Sequence, residues 1–292
     1  MIRAPWGNKQ YWDDHEAKDL QWIERVSKIL SEPSANPVYR AQFTFDFAKD
    51  NLRAAIRGYS SGGNITTIAT FFPGVLDAWE ISNRESDKIC AENDLKTCRD
   101  WTFELTDLNH YIYCFWLVGL ALALEIPDEQ WLRLVALIGD GGQDILLDRI
   151  IAYRQPEREI GEKLLHAKPY ARLLKAIDAQ QAQQATLLLA FVEHWYPELN
   201  RRGKQQPWWY IYGDPVMHPL EMGSYFGRWC FEAVAAVKVF GHEDSDCIGH
   251  EHYPGDLLHP NEKVIPTPNS SAESGWWGRL LGLKSRKDSK GH

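Results

Sequence analysis

The chain has 292 residues, 44% hydrophobic and 25% charged, enough for one large domain or two modest ones, and its composition excludes the disordered and collagen-like classes. Its 32 Lys and Arg against 40 Asp and Glu give a net charge of −8. That balance argues against a phosphate backbone as the main partner, because nucleic-acid affinity comes largely from basic side chains displacing counterions; a basic partner suits it better. Apolar residues recur at helical spacing almost everywhere and no period-2 run stands out, so the predicted fold class is all-α, a bundle-like array of many helices in two closely packed halves.

Residues 1–20 mix Asp13, Asp14, Glu16 and Asp19 with Trp and Tyr and hold no apolar run, so a secretory signal is not expected there. Trp22, Val26, Ile29 and Leu30 form the first helical stripe, ended by Pro33 and Pro37. Phe43, Phe47, Leu52, Ile56 and Tyr59 predict a second helix that stops near residues 58–63. Ile65, Ile68, Phe72, Val75, Leu76 and Trp79 predict a third, with Pro73 as the expected kink or break. The apolar run 111–124 reads as the central helix; at 14 residues it is too short to cross a bilayer.

Asp128, Glu129 and Gln130 open a new helix as acidic first-turn residues should, and the boundary between the halves is placed here, at 127/128. The run 139–142 breaks that helix and Asp144 resumes one. Two further helices follow, around Leu173 and around Phe191. The stretch 206–220 carries Pro207, Pro215 and Pro219 among Trp208, Trp209, Tyr210 and Tyr212, an ordered aromatic loop. A last helix is predicted over 225–240, closing at Gly241, so that the second domain is 128–260. Residues 261–292 form a Pro/Ser-rich linker and a tail with Trp276 and Trp277; six basic and three acidic residues there leave the body at about −11. The cysteines, Cys90, Cys98, Cys114, Cys230 and Cys247, are odd in number and lack C-x-x-C spacing, which reads as reduced thiols in a cytoplasmic chain.

Gly58-Tyr59-Ser60-Ser61-Gly62 matches the G-x-S-x-G pattern of a hydrolase nucleophile elbow. What precedes it is helix-like, and a helix end followed by a glycine-rich connection explains the same five residues. Between 242 and 259, His242, Glu243, Asp244, Asp246, Cys247, His250, His252 and His259 crowd one loop, yet Cys247-x-x-His250-x-His252 fits no standard zinc site, so neither metal nor cofactor is expected. Asp140, Asp144 and Asp148 stand at i, i+4 and i+8; Asp140, with Gln143 three residues on, reads as an N-cap, and Asp148 as surface charge or an ion-pair partner. Glu232 interrupts an apolar helix, and Arg228 one turn earlier is its expected partner.

The segment from Gly223 through Arg228, Trp229 and Glu232 to Ala236, followed by His242-Glu243-Asp244-Ser245 and His252-Tyr253-Pro254-Gly255-Asp256-Leu257, resembles the C-terminal domain of the PoNi-type immunity proteins. Arg57-Gly58-Tyr59-Ser60-Ser61-Gly62 is similar to a turn of that family's N-terminal domain, and Lys168-Pro169-Tyr170 also fits. The resemblance spans about residues 5–260; Arg228 and His252 stand where members usually carry aromatics.

The resemblance implies a helical, non-enzymatic cytoplasmic protein that binds and inhibits a cognate effector toxin, a DNase by preference, by covering its active site. Expected acidic contacts are Asp144, Asp148, Glu243, Asp244 and Asp246, with Trp208, Trp209 and Tyr212 as apolar anchors. Arg228, Trp229, Glu232, Tyr253, Pro254 and Asp256 are expected to be structural. No direct nucleic-acid partner and no stable membrane insertion are expected, and assembly into a homo-oligomer is compatible with the sequence. Two rival readings are a metal-dependent hydrolase built on the 242–259 loop, and a helical scaffold whose tail touches membrane through Trp276, Trp277, Leu280, Leu281 and Leu283.

Overall fold

Helix α5 (Leu108–Ala123) is the most apolar of the longer helices described, and every residue from 111 to 122 is buried. A helix apolar on all sides must be surrounded by other helices, and α5 is the element around which the rest assembles. The computed structural model describes residues 1–34, 36–94 and 103–260; among these there are helices, turns and loops and no strand, an all-α fold as predicted.

On one side stand α1 (Lys9–Leu30), α2 (Pro37–Ser61) and, after the single turn α3 (Ile65–Ile68), α4 (Phe72–Asn93). Among the described residues the α2–α4 pair is the most extensive helix–helix contact, and α1 packs chiefly on α2. Asn8 and Asn36 cap α1 and α2 by accepting the Tyr11 and Tyr39 amides, and Pro37 starts α2 with its φ already helical. Pro73 likewise stands in the first turn of α4, so of the expected kink or break it is the break that is seen, α4 restarting after a 3-10 turn at 69–71. Helix α6 (Asp128–Ile138) packs on α4 and α5, both of the first half.

On the other side α10 (Phe231–Phe240) packs on α5, and α7 (Ile145–Ile151) and the α8–α9 hairpin (Ala167–Asp178 and Gln181–Glu198) pack on α10, with Tyr170 of α8 also reaching Tyr111 and Phe115 of α5. At Gly119 a Cβ would stand 2.6 Å from the Phe231 carbonyl, so only glycine lets α5 and α10 approach this closely.

Four sequence expectations are corrected. The last helix starts at Phe231, not 225; residues 225–230 run as a buried non-helical segment, with Gly227 at φ +104°. The cap of α7 is Asp144, which accepts the Leu146 and Leu147 amides, while Asp140 is exposed one loop earlier. In α1 the predicted apolar stripe is only partly covered: Val26 is buried, whereas Trp22 and Ile29 are exposed. Cys90 is disulfide-bonded, against the reading of five reduced thiols; Cys114, Cys230 and Cys247 are free and buried. No helix of the described residues is long and apolar enough to cross a membrane.

Candidate functional site

The G-x-S-x-G residues end α2, which stops at Gly62 with φ +96°; a Cβ there would collide with the Met1 carbonyl. Ser60 is fully buried. Its Oγ lies 2.6 Å from the Phe226 carbonyl and 2.9 Å from that of Ile56, and accepts the Trp229 indole N–H at 2.8 Å. Tyr59 donates to Asp256, which also binds the Arg3 guanidinium, while Arg3 donates to the Tyr59 and Gly63 carbonyls. Arg57 pairs with Asp19 at 2.6 Å and reaches the Gly223 and Tyr225 carbonyls. The turn is therefore a clasp joining the N-terminus, α2 and the 223–230 segment. Among the described residues no histidine hydrogen-bonds to Ser60, and the strand that a nucleophile elbow needs is absent.

A second junction centres on Asp148. One carboxylate oxygen accepts the amides of Gly142, Asp144 and Gly161 at 3.0–3.2 Å, and the other takes Arg158 Nε at 2.7 Å, with both side chains almost fully enclosed. Asp144, equally buried, adds the Tyr111 hydroxyl and the Leu165 amide to its two cap bonds. Both aspartates, named above as expected toxin contacts, are buried here and pin the 139–165 loops. Arg158 was missed because, in a polar loop among Glu157 and Glu159, an arginine has the sequence signature of ordinary surface charge.

Glu232 does not pair with Arg228, because the helix that would have set them one turn apart begins only at Phe231. Its Oε1 accepts the Tyr170 hydroxyl at 2.9 Å and the Trp195 indole at 3.2 Å, and its Oε2 has no partner among the described residues. Burial pushes this carboxyl up to about 7. Arg228 instead lies between the rings of Trp6 and Tyr196, 4.3 and 4.2 Å from their centroids, and donates to the Tyr212 carbonyl at 2.8 Å.

In the 242–259 loop several polar groups are paired, while both ring nitrogens of the buried His242 have no hydrogen-bond partner among the described residues. Asp244 accepts the Tyr253 hydroxyl and stands 3.0 Å from His259 Nε2. His252 Nδ1 is 3.0 Å from the Arg228 carbonyl, and burial holds its ring nearly always neutral, its pKa pushed down to about 3. Among the described residues no three His, Cys, Asp or Glu side chains converge as a metal site. Of the remaining expected contacts, Glu243 and Asp246 are exposed, Trp208 and Tyr212 are half-buried, and Asp244 and Trp209 are buried. Trp209 stacks on Trp195 at 5.8 Å, a packing position. The tail tryptophans lie outside the described residues.

Two adjoining cavities open beside α1 and share Asp19. One, of about 300 Å³, is lined by Glu16, Leu20, Ala54, Ile68 and Phe71 among others; its neighbour, of about 340 Å³, holds Trp22, Asp50, Arg53 and Arg57.

No curated protein matches the sequence. In three dimensions the chain is similar to protein PA2201 from Pseudomonas aeruginosa, known from its crystal structure, with a TM-score of 0.66 at 18% identity over 89% of this chain and 91% of that one, a likeness of fold. Sequence models of PoNe immunity proteins (PoNi) match residues 3–136 with the N-terminal domain and 142–257 with the C-terminal domain. The clasp residues Arg57 to Gly62 fall in the first match and their partners Phe226, Trp229 and Asp256 in the second. With both domains matched over most of its length, the chain belongs to the PoNe immunity protein family.

Proposed function

We propose that the protein binds a cognate effector nuclease, a DNase, and inhibits it by covering its active site, without catalysis of its own. The observation that carries this reading is the match of both halves to the immunity family. Its physical support is the acidic body: a nuclease must present Lys and Arg to its substrate, and a surface with a surplus of carboxylates competes for those groups. The interior arrangement is consistent with a binder, since the groups that resembled catalytic motifs, Ser60, Asp144, Asp148 and Glu232, hold elements together. We place the protein in the cytoplasm, where a DNase meets its target; the Cys90 disulfide, uncommon in that compartment, weighs the other way.

The test is co-expression with the effector encoded by the neighbouring reading frame. Cells carrying both genes are expected to grow with intact chromosomal DNA, and the purified protein to bind that effector at nanomolar Kd or tighter, about −12 kcal/mol. Growth arrest in the presence of both proteins, or turnover of nucleic acid by the purified immunity protein alone, would overturn the reading.

A further inference from the structure

The long helix that packs least is α1: of its 22 residues only Trp12 and Val26 are buried. Leu20, Trp22 and Ile29 are 56%, 40% and 44% exposed within one stretch of ten residues, although each would gain by burial. Helical spacing puts Glu16, Asp19, Leu20 and Ile23 on one side, at i, i+3, i+4 and i+7, and the first three of these line the 300 Å³ cavity. Its floor is apolar, made by Ala54, Ile68 and Phe71, and no Lys, Arg or His lines it.

Two carboxylates edge that floor. Asp19 is largely desolvated, which raises its pKa despite the guanidinium of Arg57 beside it. Glu16 has its Oε1 shut off from solvent with no hydrogen-bond partner among the described residues. A carboxylate oxygen without a donor in such a place is costly when empty and favours an incoming cation. A long basic side chain satisfies both halves of the cavity, its methylenes on the apolar floor and its charged head on Glu16. The neighbouring cavity lacks this preference, because Arg53 and Arg57 already occupy its Asp50 and Asp19.

We propose that this cavity, with the exposed Leu20 at its edge, is the docking site for a Lys or Arg side chain presented by the effector nuclease. This rests on the immunity reading above. It moves the centre of the interface away from the acidic residues of the 242–259 loop to the first helix.

The experiment uses the full chain and an active-site-inactivated form of the effector from the neighbouring reading frame, with Kd measured by titration calorimetry and folding checked by circular dichroism melts. Glu16→Lys places a like charge against the incoming side chain and is expected to weaken binding tenfold or more, by about 1.4 kcal/mol at least. Leu20→Ser, at an exposed position with little bearing on folding, is expected to weaken it severalfold. Glu243→Lys and Asp246→Lys, on the other exposed acidic loop, are expected to stay within twofold. If wild type binds and both α1 variants bind equally well, the cavity is not the site and the immunity reading stands. If the loop variants lose binding while the α1 variants keep it, the site is the loop. If wild type neither binds nor rescues, the functional reading falls and this assignment with it.

Discussion

Glu232 shows what a single charged residue in an apolar helix does when no cation reaches it. Full burial makes the ionised form expensive, and the two donors on Oε1, from Tyr170 and Trp195, compensate only in part because Oε2 has none. The folded protein therefore holds this proton up to about pH 7, whereas the unfolded carboxyl releases it near 4.5. A raised pKa means stability that is complete below the unfolded value and lost as pH rises through the folded one. Relative to Glu232→Gln, which keeps the acceptor for both donors, the wild type is expected to lose on the order of 3 kcal/mol between pH 4.5 and 8. His252 contributes with the opposite sign, being buried neutral and losing stability as pH falls below about 6.5. That contribution is common to both proteins and cancels in the difference. Urea denaturation of the pair across this range measures it, and a difference independent of pH would contradict the buried, donor-starved site.

At the scale of elements, what was legible in the sequence was periodicity, and what was not was where a buried segment stops being helical. The apolar run 111–124 identified α5, and Asp128 with Glu129 marked the start of α6, because these signals are local. Residues 225–230 are as apolar as α10 and joined it in the sequence reading. They leave the helix because Cys230 donates its amide to the His252 carbonyl, and Gly227 takes a left-handed conformation beside Ser60, contacts made across more than twenty and more than 160 positions. No window of sequence contains that information. The same ignorance produced the Arg228–Glu232 pair and hid Asp148–Arg158, whose members stand ten residues apart across a loop. At Gly227 a Cβ would approach Ser60 Oγ to 2.2 Å and Trp229 Nε1 to 2.3 Å, at a φ that L-residues avoid. Gly227→Ala is therefore expected to cost more than about 2 kcal/mol, backbone strain plus the broken clasp bond. A control at Gly58, where a Cβ meets nothing within 4 Å, is expected to be neutral or slightly stabilising. Equal denaturation midpoints for the two variants would refute the clasp geometry.

For the molecule as a whole the relevant quantity is the part of its net charge that reaches solvent. Asp148 is cancelled by Arg158 and Glu232 is held near neutrality, so neither adds much to the outer field. What remains are exposed carboxylates such as Asp14, Glu129, Glu157, Glu159, Glu243 and Asp246, which lie on several helices and loops. A field of that kind attracts a basic partner from a distance without orienting it closely, while short-range groups set the final pose. The expected consequence is a division of labour in the kinetics. Added salt screens charges over about 8 Å at physiological ionic strength, so the association rate with the effector should fall as salt rises. Dissociation should change less, because a docked side chain partly withdrawn from solvent is screened less than two separated surfaces. Stopped-flow mixing of the full chain with the inactivated effector over a salt series separates the two rates. Reversing both Glu129 and Glu157, which lie far along the chain from the α1 cavity and are exposed, should then slow association modestly and leave dissociation unchanged. An association rate indifferent to salt would rule out long-range steering and leave affinity to the docked contacts alone.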